Sequence, residues 1–133
     1  MDNGQWIMDK AGGEMGDKNI LADKSIDFAI RVVNCYRYLR EKKKEDIMSK
    51  QLLRSGTSVG ANIHEGTQAQ SPADFISKMS IALKEATETS YWLTILSRTD
   101  FLEESAYESL KCDLDEIIRI LISSIKTTKK NWT

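Results

Sequence analysis

At 133 residues the chain has room for one domain that buries a core without metals or disulfides. Its 41% hydrophobic and 29% charged residues describe a globular protein, and one Pro with seven Gly leaves too little punctuation for a β-rich fold. The 19 Lys and Arg against 20 Asp and Glu give a net charge of −1, which excludes a general electrostatic pull toward polyanions.

Residues 1–17 are Gly-rich, acidic and aperiodic, and read as a disordered leader ahead of a single domain over 18–133. Trp6 and Ile7 are the residues of this leader suited to docking on a neighbouring subunit. The first helix is expected from about Asn19 or Ala22 to Arg40, with Ile26, Ala29, Ile30, Val33 and Tyr36 at helical spacing and Leu39 close by. Its end is basic: Arg37, Arg40, Lys42, Lys43 and Lys44 suit the negative end of a helix dipole and form one candidate nucleic-acid contact.

The second helix is expected from Glu45 or Asp46 to Gly66, with Gly66 as a left-handed C-cap. Within it Arg54, Ser58, Asn62 and Glu65 form one polar stripe, at spacings of four, four and three. Beside the stripe runs a small or apolar row of Ile47, Leu52, Gly56, Val59 and Ile63. A polar stripe bordering an apolar one predicts a buried or half-buried network that needs partners on other helices. Gly56 and Gly60 make a small-xxx-small step suited to close helix approach.

Ser71, Pro72 and Asp74 mark the next start, as N-cap, first helical residue and capping-box partner. The third helix runs to about Ser97, with Phe75, Met79, Ala82, Ala86, Leu93 and Leu96 on one face. Glu85 and Glu88 lie beside that face and are the candidate partners of Arg54. After a turn around Thr99 to Leu102, the fourth helix runs to about Thr128 on a seam of Tyr107, Leu110, Leu114, Ile117, Leu121 and Ile125. Ile118 and Ile122 widen that seam beyond what one core requires, which predicts burial against another subunit. Lys126, Lys129 and Lys130 close the helix as a second basic cluster, also a candidate nucleic-acid contact. Four long helices with short turns predict an all-α, antiparallel up-down-up-down four-helix bundle.

No catalytic constellation emerges. His64 is the lone histidine, and neither a His-Glu-x-x-His nor a Glu-x-x-His pattern is present. Gly56 to Gly66 lacks the Lys-Ser/Thr ending of a phosphate loop, and Ser58 lies six residues from His64 on one helix. The expectation is therefore a non-enzymatic protein with no metal, no cofactor and no small-molecule substrate. Cys35 and Cys112 are too few and too far apart for a metal motif and read as reduced thiols. With no signal peptide and no membrane span evident, a cytoplasmic location is expected.

The second-helix residues Gln51, Leu52, Arg54, Ser58, Asn62, Ile63, Glu65 and Gly66 resemble the signature of the four-helix-bundle proteins encoded in intervening sequences of bacterial 23S ribosomal RNA genes. The run Ala82, Leu83, Lys84, Glu85, Ala86, Glu88, Thr89, Tyr91, Trp92 and Leu93 is similar to the same family, as is Asp115 to Leu121. This resemblance covers roughly residues 19 to 130 and implies an antiparallel bundle that assembles into a homopentameric ring. A related branch, the accessory variability determinant of diversity-generating retroelements, implies a basic barrel that binds RNA or DNA and a reverse transcriptase. The near-neutral charge of this chain departs from that branch, as do His64 and Gly60 at positions where other members often carry Ala or Pro.

Overall fold

The computed structural model describes residues 13–132 of the chain, with side chains for residues 20–131. Four helices follow one another: α1 (Gly13–Glu41), α2 (Met48–Thr67), α3 (Pro72–Arg98) and α4 (Glu104–Trp132). Short turns make consecutive helices antiparallel neighbours, and α1 also touches α4, so the four close into an up-down-up-down bundle. Residues 1–12 of the expected leader lie outside the described residues, Trp6 and Ile7 with them. Helix α1 begins at Gly13, ahead of the expected Asn19 or Ala22.

The core is a single apolar column. From α1 it takes Leu21, Phe28, Val32, Cys35 and Leu39, and from α2 Leu52, Val59 and Ile63. Phe75, Met79, Ala82, Ala86, Leu93 and Leu96 of α3 meet Leu110, Leu114, Ile117, Leu121 and Ile125 of α4. The α3 and α4 faces are those expected from spacing. The α1 face is not: Ile26 and Ile30 point outward at 45% and 55% exposure. Two apolar rows share this helix, and the bundle buries the one carrying Phe28 and the two leucines, which removes more apolar area from water.

Close approach of α1 and α2 explains the glycine step. A Cβ on Gly56 would stand 2.8 Å from Val32 Cγ1, and one on Gly60 would stand 3.2 Å from Ser25 Oγ. Gly66 has a similar task and is not the C-cap. Helix α2 continues to Thr67, Gln68 follows at φ −103°, and a Cβ on Gly66 would run into Met79 Cε of α3. Close packing against the end of the Met79 side chain, rather than a left-handed turn, is what the glycine serves there.

Side chains cap the starts of α2 and α3. The Glu45 carboxylate accepts the backbone N–H groups of Ile47, Met48 and Ser49 at 2.8–3.1 Å, so it caps α2 from just outside the helix. Ile47, expected in the apolar row of α2, sits in that cap and is 75% exposed. Ser71 Oγ accepts the Asp74 N–H at 3.1 Å, and Pro72 occupies the first position of α3. No helix among the described residues is long and apolar enough to cross a membrane.

Candidate functional site

Three surfaces carry the side chains that the bundle core does not absorb. The first is the polar stripe along α2 and its partners on α3. Arg54 NH1 donates to Glu85 Oε1 at 3.3 Å, and its NH2 donates to Glu88 Oε2. Trp92 Nε1–H donates to the same Glu88 oxygen at 3.0 Å, and the Tyr91 ring meets Trp92 edge-on at 5.0 Å. Glu88 is held below the usual carboxylate range, first by the indole N–H and then by Arg54.

Of the buried or half-buried network expected from the pattern, the structure shows the half-buried form: Glu85 and Glu88 are partly covered, and Arg54 reaches them from the surface. Arg54 is 49% exposed at its side chain, and the stripe breaks into separate pieces. Asn62 Nδ2 donates within its own helix to the Ser58 carbonyl at 2.9 Å and lies 3.2 Å from Ser58 Oγ. Glu65 pairs with Lys78 of α3 at 2.9 Å. The stripe falls on the outer edge of the α2–α3 contact, where long side chains extend into water. The buried polar link between these helices is instead Ser55 Oγ to Thr89 Oγ1, at 3.0 Å. Two small hydroxyl residues give no charge signal in a sequence, so that pair is not legible there.

The second surface is the outer side of α1 and α2. Ile26, Ala29, Ile30 and Val33 line an open groove of about 380 Å³ with Thr57, Gly60, Ala61 and His64, and Arg37 stands at one end. The groove is mostly apolar because the second apolar row of α1 faces it and α2 contributes small side chains apart from His64. His64, the sole histidine, is exposed on this surface. Among the described residues no group of three or more His, Cys, Asp or Glu could hold a metal ion.

The third surface is the outer side of α4. Ile118 is half-buried and packs against the core, so part of the excess apolar width is taken up within the chain. Ile122 remains 38% exposed. The basic clusters sit at opposite ends of the bundle because α1 and α4 both finish in them and run antiparallel. Arg37, Arg40, Lys42, Lys43 and Lys44 are exposed at one end, and Lys126, Lys129 and Lys130 at the other. Arg40 lies over the Tyr36 ring, 5.5 Å from its centre, and donates to Tyr36 Oη at 3.1 Å.

Comparison with known proteins places this architecture. No curated protein matches the chain. A crystal structure from Bacteroides thetaiotaomicron VPI-5482, described as a protein with unknown function from the S23 ribosomal protein family, superimposes with a TM-score of 0.82. It is 56% identical, and the match covers 83% of this chain and 98% of that one. Residues 17–123 match the family described as 23S rRNA-intervening sequence protein. The chain belongs to the 23S rRNA-intervening sequence protein family.

Proposed function

We propose that this chain is a non-enzymatic interaction protein that assembles with copies of itself, with the homopentameric ring of the resemblance as the expected form. The observation that carries the reading is the outward row of α1. Ile26 and Ile30 lie one turn apart at about half exposure, beside Ala29 and Val33, along a groove that none of the described helices covers. Contiguous apolar surface of this kind marks contact sites more often than it is left to water. Ile122 on α4 adds an exposed apolar residue on a different side of the bundle.

Light scattering tests this. The parent is expected as a multiple of 15.1 kDa, and Ile26→Glu with Ile30→Glu is expected to give a helical particle of lower mass. Ile118→Glu with Ile122→Glu is expected to act in the same direction. A monomeric parent overturns the reading.

A second reading, phosphate contact with RNA or DNA, is favoured by the exposure of Arg37, Arg40, Lys42, Lys43 and Lys44 at a single end. Assembly side by side in one orientation gathers these ends on one rim. Filter binding of structured RNA at two salt concentrations tests it. Replacing Lys42, Lys43 and Lys44 by Gln is expected to flatten the salt slope by about 0.7–0.9 for each phosphate that is no longer neutralised. A parent that binds no RNA at low salt removes this role.

A further inference from the structure

We propose that α1 of one copy lies along α4 of the next, with Ile26 against Ile122 and Ile30 against Ile118. This rests on the self-assembly just proposed and names the two faces that meet. The argument is one of register and charge. On α1, the paired isoleucines are four residues apart, and so are Ile118 and Ile122 on α4. An antiparallel alignment that sets Ile26 opposite Ile122 therefore also sets Ile30 opposite Ile118.

The same alignment brings opposite charges together at both ends, and the one like pair it makes, Arg37 with Lys111, is relieved because Asp115 already holds the Lys111 ammonium at 2.8 Å. Asp23 lies three residues before Ile26, and Lys126 lies four after Ile122, so an acid meets a base beyond one end of the apolar pair. Arg40 lies ten residues after Ile30, and Glu108 lies ten before Ile118. At 1.5 Å per residue each is about 15 Å from its isoleucine, so a base meets an acid at the other end. Arg40, Glu108 and Lys126 are exposed, and Asp23 is half-exposed. The reverse, parallel alignment would bring Arg40 toward Lys126 and Asp23 toward Asp115, and like charges would face each other at both ends.

The orientation has a consequence for symmetry. Within one copy α1 and α4 already run antiparallel, as the Lys24–Glu116 and Arg31–Asp113 ion pairs across them require. A contact that is also antiparallel between copies leaves the copies pointing the same way. Such a contact joins two different faces, α1 with the α1–α2 groove on one copy and the outer side of α4 on the next. That is a heterologous interface, which continues from copy to copy rather than stopping at a dimer and gives a ring where the rotation between copies closes. Internal and intercopy registers differ by about six residues, a stagger of about 9 Å that tilted bundles absorb.

Disulfide trapping tests the pairing. In a Cys112→Ser background, Ile26→Cys and Ile122→Cys in one chain are expected to give a ladder of cross-linked species on mild air oxidation. The pair Ile26→Cys with Ile81→Cys, also exposed but on α3, is expected to give none. Either cysteine alone is expected to give no dimer, because each face meets a different one. An oligomeric parent with no ladder, or with dimers from Ile26→Cys alone, overturns the pairing and leaves self-assembly standing; a monomeric parent overturns both. As a check independent of cysteine chemistry, Arg40→Glu is expected to weaken association about two- to fivefold, and adding Glu108→Arg to restore it. Failure of that restoration also counts against the pairing.

Discussion

Arg54 shows how a side chain can be well bonded and still contribute little to stability. It reaches two carboxylates on α3, one of which also holds the Trp92 indole, yet half of its side chain remains in water. Water and salt screen an ion pair in that position, and double-mutant measurements of such pairs give about 0.2–1 kcal/mol. Arg54→Ala is therefore expected to cost less than about 1 kcal/mol in denaturant unfolding, far below the ~3–5 kcal/mol of a stranded buried charge. Glu45 presents the opposite case, with a buried position and no ion pair among the described residues. Burial pushes its carboxyl up, but the backbone N–H groups of Met48, Ser49 and Ile47 prevail and hold it below its ordinary value. A carboxyl depressed by folding contributes stability that is fully present above its unfolded pKa and is lost as pH falls through its folded one. Glu45→Gln is expected to show a shallower loss of stability on acidification through that window, and to cost roughly 0.5–2 kcal/mol at neutral pH as a weakened cap. Urea unfolding at a series of pH values measures both.

Among the elements, α3 and α4 are legible in the sequence because each carries one apolar row much longer than any other on it. On α4 the step of three and four from Leu110 to Ile125 has no rival of equal length, and the bundle buries it. Helix α1 carries two rows, and periodicity cannot say which is inside. Phe28 and Leu39 decide it through the area they bury, a quantity that depends on what α2 and α4 offer opposite them. Gly66 misleads for a related reason. A glycine near a helix end suits a left-handed cap or a close neighbour equally well, and Met79 of α3, thirteen residues on, settles the matter. The polar stripe of α2 is recognisable, and the partners of Arg54 with it, but its burial is not, since depth depends on how far the neighbouring helix reaches. The glycines of the α1–α2 contact differ in a measurable way. Alanine at Gly56 would press on Val32, a stiff and fully buried side chain, whereas alanine at Gly60 meets the small Ser25 at a longer distance. Gly56→Ala is expected to destabilise by about 1–3 kcal/mol despite a helix-propensity gain near 1 kcal/mol, and Gly60→Ala by less. Thermal unfolding of the two variants ranks them.

For the whole molecule, the placement of apolar side chains separates what the fold needs from what remains. The column from Leu21 to Ile125 satisfies the bundle, and Ile26, Ile30 and Ile122 lie outside it. Those three leave apolar surface on two different sides of the bundle, while its charged ends stay apart. The distribution of packing inside the bundle carries a further consequence. The α1–α2, α2–α3 and α3–α4 interfaces are broad, whereas α1 meets α4 along a sparse seam crossed by Lys24–Glu116 and Arg31–Asp113. Nearly all the packing thus joins stretches adjacent along the chain. Little loop entropy has to be given up before a native contact forms, so each hairpin of helices can condense on the one before it. Such a topology belongs among the fast folders, with relaxation in microseconds to milliseconds, and the single chain can complete its bundle without help from any other.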